Sequence, residues 1–128
     1  MTHKPGVTAA VLLVEDEEML RELAREILEA AGYEIRVAGA AETALALAAE
    51  EPPRLLITDI EMPGLCGKDL AEQLRGRQPE LSVLFVSGHP QREVLGCGAL
   101  APGTEFLQKP YSRDALLQAV ARAIARRP

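Results

Sequence analysis

Four short apolar runs in this chain each end in polar residues. Val11-Leu12-Leu13-Val14 runs into Glu15-Asp16, Leu55-Leu56-Ile57-Thr58 into Asp59, Val83-Leu84-Phe85-Val86 into Ser87, and Phe106-Leu107 towards Lys109-Pro110. Aliphatic runs this short predict strands buried on both faces. A fifth strand is predicted where Tyr33, Ile35 and Val37 alternate with polar neighbours, as on a sheet edge.

Helical spacing fills the intervals. From Glu17 to Ala31 the apolar positions are Leu20, Leu23, Ile27, Ala30 and Ala31, with Gly32 placed as a C-terminal cap. Ala40 to Glu51 predicts a second helix, stopped by Pro52-Pro53. Met62 to Gly67 reads as a loop, Lys68 to Arg75 as a third helix with Leu70 and Leu74 inward, and Pro79 as a break before the next strand. Between Pro90 and Gly103 only Glu93-Val94-Leu95 looks helical before Gly96, Gly98 and Pro102 intervene, so the fourth helix should be short or irregular. Ser112 is a good N-cap for the last helix, with Leu116, Leu117, Val120 and Ile124 as its apolar stripe and Arg126-Arg127 at its negative end.

This alternation of about five strands with about five helices predicts an α/β fold: a flavodoxin-like, doubly wound, five-stranded parallel sheet of order 2-1-3-4-5, with helices on both faces. Residues 1–10 are expected to be a flexible N-terminal segment and residues 11–126 a single domain. In such a sheet the carboxyl ends of the strands share one edge, where ligands bind. The four polar clusters should therefore meet in space.

Composition narrows the function classes. A chain of 128 residues with a net charge of -5 has no evident basic face, so direct nucleic-acid contact is not expected. Cys66 and Cys97 lack the companion ligands of a zinc site and read as reduced thiols of a cytoplasmic protein. No apolar stretch reaches the roughly 20 residues that span a bilayer, so no direct membrane contact is expected.

The converging residues suggest phosphoryl chemistry. Adjacent carboxylates at Glu15 and Asp16 repel each other unless a cation is present, and Mg2+ suits them because it takes hard oxygen ligands and keeps several waters. The same charges would repel a flavin phosphate. Asp59, presented after an apolar run, can attack phosphorus to give an acyl phosphate. Lys109 can supply positive charge to the incoming oxygens and Ser87 a hydrogen bond.

These motifs resemble the receiver domain of two-component response regulators: Leu12-Leu13-Val14-Glu15-Asp16-Glu17, Thr58-Asp59-Ile60-Glu61-Met62-Pro63-Gly64, Val86-Ser87-Gly88 and Phe106-Leu107-Gln108-Lys109-Pro110. The resemblance runs from about Val11 to Ala125, and the expected strand order rests partly on it. It implies that Asp59 takes a phosphoryl group from the phosphohistidine of a histidine kinase or a histidine phosphotransfer domain. It also implies that Asp16, Asp59 and the backbone carbonyl of Glu61 hold magnesium, with Glu15 acting largely through water. Lys109-Pro110 should be cis, and Ser87 and Phe106 should form a coupled switch in which the hydroxyl moves towards the phosphoryl group and the ring turns inward.

Some features depart from the common pattern. Glu61 adds a negative side chain beside the acceptor and is expected to change the acyl-phosphate lifetime, and His89, close after Ser87, reads either as a residue that orients or excludes attacking water or as a plain loop histidine. The weak fourth helix and the Ala101-Pro102-Gly103 segment make the chain most like receivers of hybrid sensor histidine kinases. The expected role is a signalling switch without an external substrate, limited to self-phosphorylation and self-dephosphorylation. Two alternatives stand beside it: a phosphatase of the haloacid-dehalogenase type, and a pseudo-receiver that binds partners without phosphorylation. Met19, early in the first helix, is a candidate contact for a phosphotransfer helix.

Overall fold

The structure, a computed structural model, describes residues 10–96 and 100–125. Residues 1–9 of the expected flexible segment, the Cys97 thiol and the Arg126-Arg127 helix end lie outside the described residues.

The elements alternate as β1 (Ala10–Val14), α1 (Glu18–Ala30), β2 (Glu34–Ala38), α2 (Ala41–Glu50), β3 (Leu55–Asp59), α3 (Gly67–Arg77), β4 (Ser82–Ser87), α4 (Gln91–Val94), β5 (Thr104–Gln108) and α5 (Arg113–Ala125). All four strand pairings are parallel, and the order is β2-β1-β3-β4-β5. The predicted doubly wound sheet is therefore the observed one. β3 and β4 lie inside the sheet and are buried at every position, which is why their sequences read as unbroken apolar runs. β2, at the edge, is only partly covered and alternates.

Pleating sends successive side chains to opposite faces and so makes two cores. On one face Leu12, Val14, Leu56, Val83 and Phe85 meet Ala41, Ala44 and Ala48 of α2 and Leu70 and Leu74 of α3. Val94 and Leu95, from the α4 region, join the same side. On the other face Val11, Leu13, Leu55, Ile57, Leu84 and Val86 meet Ala24 and Leu28 of α1 and Leu116, Ala119, Val120 and Ala123 of α5. Alanines in these helices let them lie close to the sheet.

Helix ends follow local chemistry. At the end of α1 the Gly32 N–H donates to the Glu29 carbonyl (3.0 Å) and the Tyr33 N–H to that of Leu28 (3.2 Å), with Gly32 at φ +100°. This is the paired closure that a left-handed glycine permits. α2 stops where Glu51 turns extended, as a residue before proline must. The Ser112 Oγ accepts from the Ala115 N–H at 3.0 Å, the N-cap expected for α5.

Three expectations need correction. α3 runs two residues longer at its C-terminus than Lys68 to Arg75 and begins one earlier, because Gly67 itself packs against the end of β3. The inward face of α1 is centred on Ala24 and Leu28, leaving Leu23 53% exposed and Met19 82% exposed. In α5, Ala119 and Ala123 share the buried stripe with Leu116 and Val120, while Leu117 and Ile124 flank it. In both helices small residues adopt the sheet-facing positions because larger ones would hold the helix away. α4 is a single turn of four residues, as its glycines and prolines foretold.

Candidate phosphoryl-transfer site

β1, β3, β4 and β5 end at one edge of the sheet, and their terminal polar residues gather there. Glu15 follows β1 directly, and its N–H extends the ladder to Ala38 (3.1 Å). Asp16 stands on the exposed turn into α1, whereas Glu15 and Asp59 are each 6% exposed. One carboxylate oxygen from each of the three lies within 4.8 Å of the others. Three hard oxygen donors so spaced, on a turn open to solvent, fit a magnesium ion that keeps part of its water.

Lys109 reaches this cluster from the end of β5. Its Nζ donates to Asp59 Oδ2 at 2.7 Å and lies 2.9 Å from Glu15 Oε1. Burial opposes the charge on Lys109, yet its hydrogen bonds to the two carboxylates outweigh this and hold its pKa above the ordinary lysine range. Glu15 shows the opposite balance: burial pushes its carboxyl up, and Lys109 only partly offsets the effect. The Lys109–Pro110 peptide is cis.

Asp59 is held at both oxygens. Lys109 takes Oδ2, and the Glu61 N–H donates to Oδ1 at 3.2 Å. Its backbone is fixed as well, since the Thr58 hydroxyl donates to the Asp59 carbonyl at 3.0 Å and the Ile60 N–H to that of Val86 at 2.9 Å.

Ser87, at the end of β4, is fully buried. Its hydroxyl donates to the Glu61 carboxylate, with Oε2 at 2.7 Å and Oε1 at 2.9 Å, and accepts from the His89 N–H at 3.0 Å. The His89 imidazole faces Glu93, 3.7 Å away. Phe106 lies beside Phe85 across the β4–β5 pairing and packs, partly buried, on the side that carries Val94 and Leu95.

Three residues that sequence reasoning passed over also build this edge. Gly67 presses its backbone against Asp59, the Arg21 guanidinium donates to the Glu15 carbonyl at 2.9 Å, and Tyr111, two residues after Lys109, packs against the core on the α1 and α5 side. Burial raises the Tyr111 pKa, with Glu15 adding to the effect. A glycine at the mouth of a helix, where a capping side chain is usual, was the one available signal for Gly67.

Comparison with known proteins agrees with this arrangement. The chain is 32% identical to the C4-dicarboxylate transport transcriptional regulatory protein DctD of Pseudomonas aeruginosa over 89% of its own length and 25% of that protein. It is 39% identical to the transcriptional activator protein ExaE of Pseudomonas putida over 90% of its length and 55% of that protein. It thus spans between a quarter and about half of these relatives. Among solved structures, the receiver domain of NtrX from Brucella abortus superposes with a TM-score of 0.78 at 35% identity, covering 90% of this chain and 98% of that one. The receiver domain of the hybrid histidine kinase CckA gives 0.74 at 34% identity, covering 90% and 98%. The family profile described as the response regulator receiver domain matches residues 11–121, and the chain belongs to that family.

Proposed function

We propose that Asp59 is the phosphoacceptor of this receiver domain and that a histidine kinase or histidine phosphotransfer domain is its donor. The observation that carries the reading is the double tether of Asp59, by Lys109 at one oxygen and the Glu61 N–H at the other, beside Glu15 and Asp16. A carboxylate so held has little orientational freedom to lose on the way to the transition state.

In the transfer, an Asp59 oxygen forms a bond to phosphorus as the phosphorus–nitrogen bond of the phosphohistidine breaks, and the imidazole keeps the electron pair. Lys109 can then stay bound to Asp59 and Glu15 while its third proton faces a phosphoryl oxygen, giving positive charge where negative charge gathers. Glu15, Asp16, Asp59 and the Glu61 carbonyl would hold magnesium, which when bound neutralises the phosphoryl oxygens. Because the carboxylates are fixed before the donor arrives, a small phosphorylated donor such as acetyl phosphate should also serve, more slowly than a docked protein donor.

Signalling through a change of surface, with no external substrate, suits the rest of the molecule. Ser87 and Phe106 sit at successive places from the acceptor towards the α4 side, so a charge change at Asp59 has a packed route to that surface. The donor's docking contacts are Met19 and Leu23, the exposed large apolar side chains of the helix that follows the acidic turn. The one-turn α4 supports placing this domain with receivers of hybrid kinases. Among the described residues no helix is long and apolar enough to cross a membrane.

Intact mass measurement after incubation with Mg2+ and acetyl phosphate tests the assignment. A phosphoryl increment is expected in the wild type, and none in Asp59→Asn or when the metal is chelated. No increment in the wild type would instead favour the pseudo-receiver. Steady turnover of p-nitrophenyl phosphate would favour a phosphatase.

A further inference from the structure

The Ser87 hydroxyl has one proton, and in this structure that proton is engaged. It points at the Glu61 carboxylate, 2.7 Å and 2.9 Å from its two oxygens, while the His89 N–H occupies an acceptor position on the same oxygen. A serine hydroxyl can donate only once, so donation to Glu61 and donation to a phosphoryl oxygen exclude each other. The acceptor is charged, which makes the bond to Glu61 stronger than a neutral one.

Glu61 is also tied to the acceptor. Its backbone N–H donates to Asp59 Oδ1, whereas its side chain extends the other way, from an exposed loop position to a fully buried serine 26 residues further along the chain. One residue therefore bridges the acceptor and the hydroxyl.

We infer that Glu61 is a positioning residue that latches Ser87: it holds the hydroxyl away from the acceptor at rest, and a phosphoryl group on Asp59 must displace it to recruit the same proton. The inference rests on the reading of Asp59 as phosphoacceptor. Displacement has an electrostatic drive, because phosphorylation replaces the single negative charge of Asp59 with about two, spread over oxygens close to the Glu61 carboxylate. The same carboxylate opposes phosphorylation until the latch opens. Glu61 thus sets how much of the binding free energy of the phosphoryl group is spent on releasing the serine.

A double-mutant cycle separates this latch from simple charge repulsion. Binding of beryllium trifluoride, a tetrahedral phosphoryl mimic, is measured by calorimetry with Mg2+ for wild type, Glu61→Ala, Ser87→Ala and the double variant. Removing Glu61 should tighten binding about tenfold in the presence of Ser87, the scale of a lost charge-assisted hydrogen bond, and by less than about twofold in Ser87→Ala. Equal tightening in both backgrounds would mean repulsion alone and overturn the latch, as would no tightening at all. A second readout needs no phosphoryl mimic: side-chain scalar couplings should show one Ser87 rotamer in the free wild type and averaging over several in Glu61→Ala. A single rotamer in both would overturn the latch. Absence of binding in the wild type, or equal binding by Asp59→Asn, would overturn the acceptor reading and the competition with it, and the rotamer measurement would still report whether Glu61 holds Ser87.

Discussion

A Cβ atom placed on Gly67 would lie 2.3 Å from the carbonyl oxygen of Asp59 and 3.0 Å from Cα of Ile60. Both neighbours are backbone atoms at the end of a buried strand, so neither can rotate aside. The first residue of α3 is thus packed against the peptide that carries the proposed acceptor. Gly67→Ala should destabilise the domain by about 1–3 kcal/mol, the usual cost of overpacking, and should slow acyl-phosphate formation by moving Asp59. Gly76, in the last turn of the same helix, has open space around it. Gly76→Ala should stabilise by up to about 1 kcal/mol. Urea denaturation of the pair checks this, and equal effects at the two positions would refute the contact argument.

Lys109 supplies positive charge to two buried carboxylates, so its loss should expose their repulsion. Lys109→Met should cost about 2 kcal/mol or more in metal-free protein, because it leaves Glu15 and Asp59 buried without their partner. Added Mg2+ should then raise the stability of the variant more than that of the wild type, since a divalent cation at Glu15, Asp16 and Asp59 replaces the missing charge. Urea midpoints with and without the metal give both numbers. The same increment in both proteins would argue that the three carboxylates do not act together.

Away from the site, Arg75 joins α3 to the starts of two strands. Its guanidinium donates to the Gly103 carbonyl at 3.0 Å, the Thr104 hydroxyl at 2.9 Å and the Leu81 carbonyl at 3.1 Å. No ammonium can reproduce that planar fork. Arg75→Lys should therefore cost about 1–3 kcal/mol and reduce amide-exchange protection at the start of β5 before it does so in β1 or β3. Uniform loss of protection across the sheet would contradict a local clamp.

How much of this could be read in the sequence follows from the range over which each feature is determined. The inner strands of the sheet were legible because burial on both faces leaves short unbroken apolar runs such as Leu55 to Ile57. The one-turn α4 was legible because glycine and proline act within a few residues. Asp59, Ser87 and Lys109 could be assembled at one edge because a parallel sheet fixes which strand ends meet. The pairing of Glu61 with Ser87 was not legible, since nothing local to either residue specifies which acceptor a hydroxyl chooses. Nor was the inward face of α1: Leu23 and Ala24 both fit an apolar stripe, and only the distance between helix and sheet selects the alanine.

The alkaline limb of stability offers a test of the surroundings of Tyr111. Burial, and after it the negative charge of Glu15, hold its phenol above the ordinary value. An unfolded tyrosine ionises near pH 10. A raised value in the folded chain means that the unfolded state loses its proton first. The contribution of Tyr111 is therefore complete below about pH 10 and is lost as pH rises from there through the folded value. Lys109 has the same sign, because its raised value makes its ion pairs fully effective below about pH 10.4 and weaker above the folded value. Tyr111→Phe should consequently fall less steeply than the wild type in urea midpoint between about pH 9 and about pH 11, while keeping the part that belongs to Lys109. Tyr33→Phe should flatten the limb less, because burial alone raises Tyr33. If Tyr111→Phe and wild type decline in parallel, the phenol is not coupled to the acidic edge.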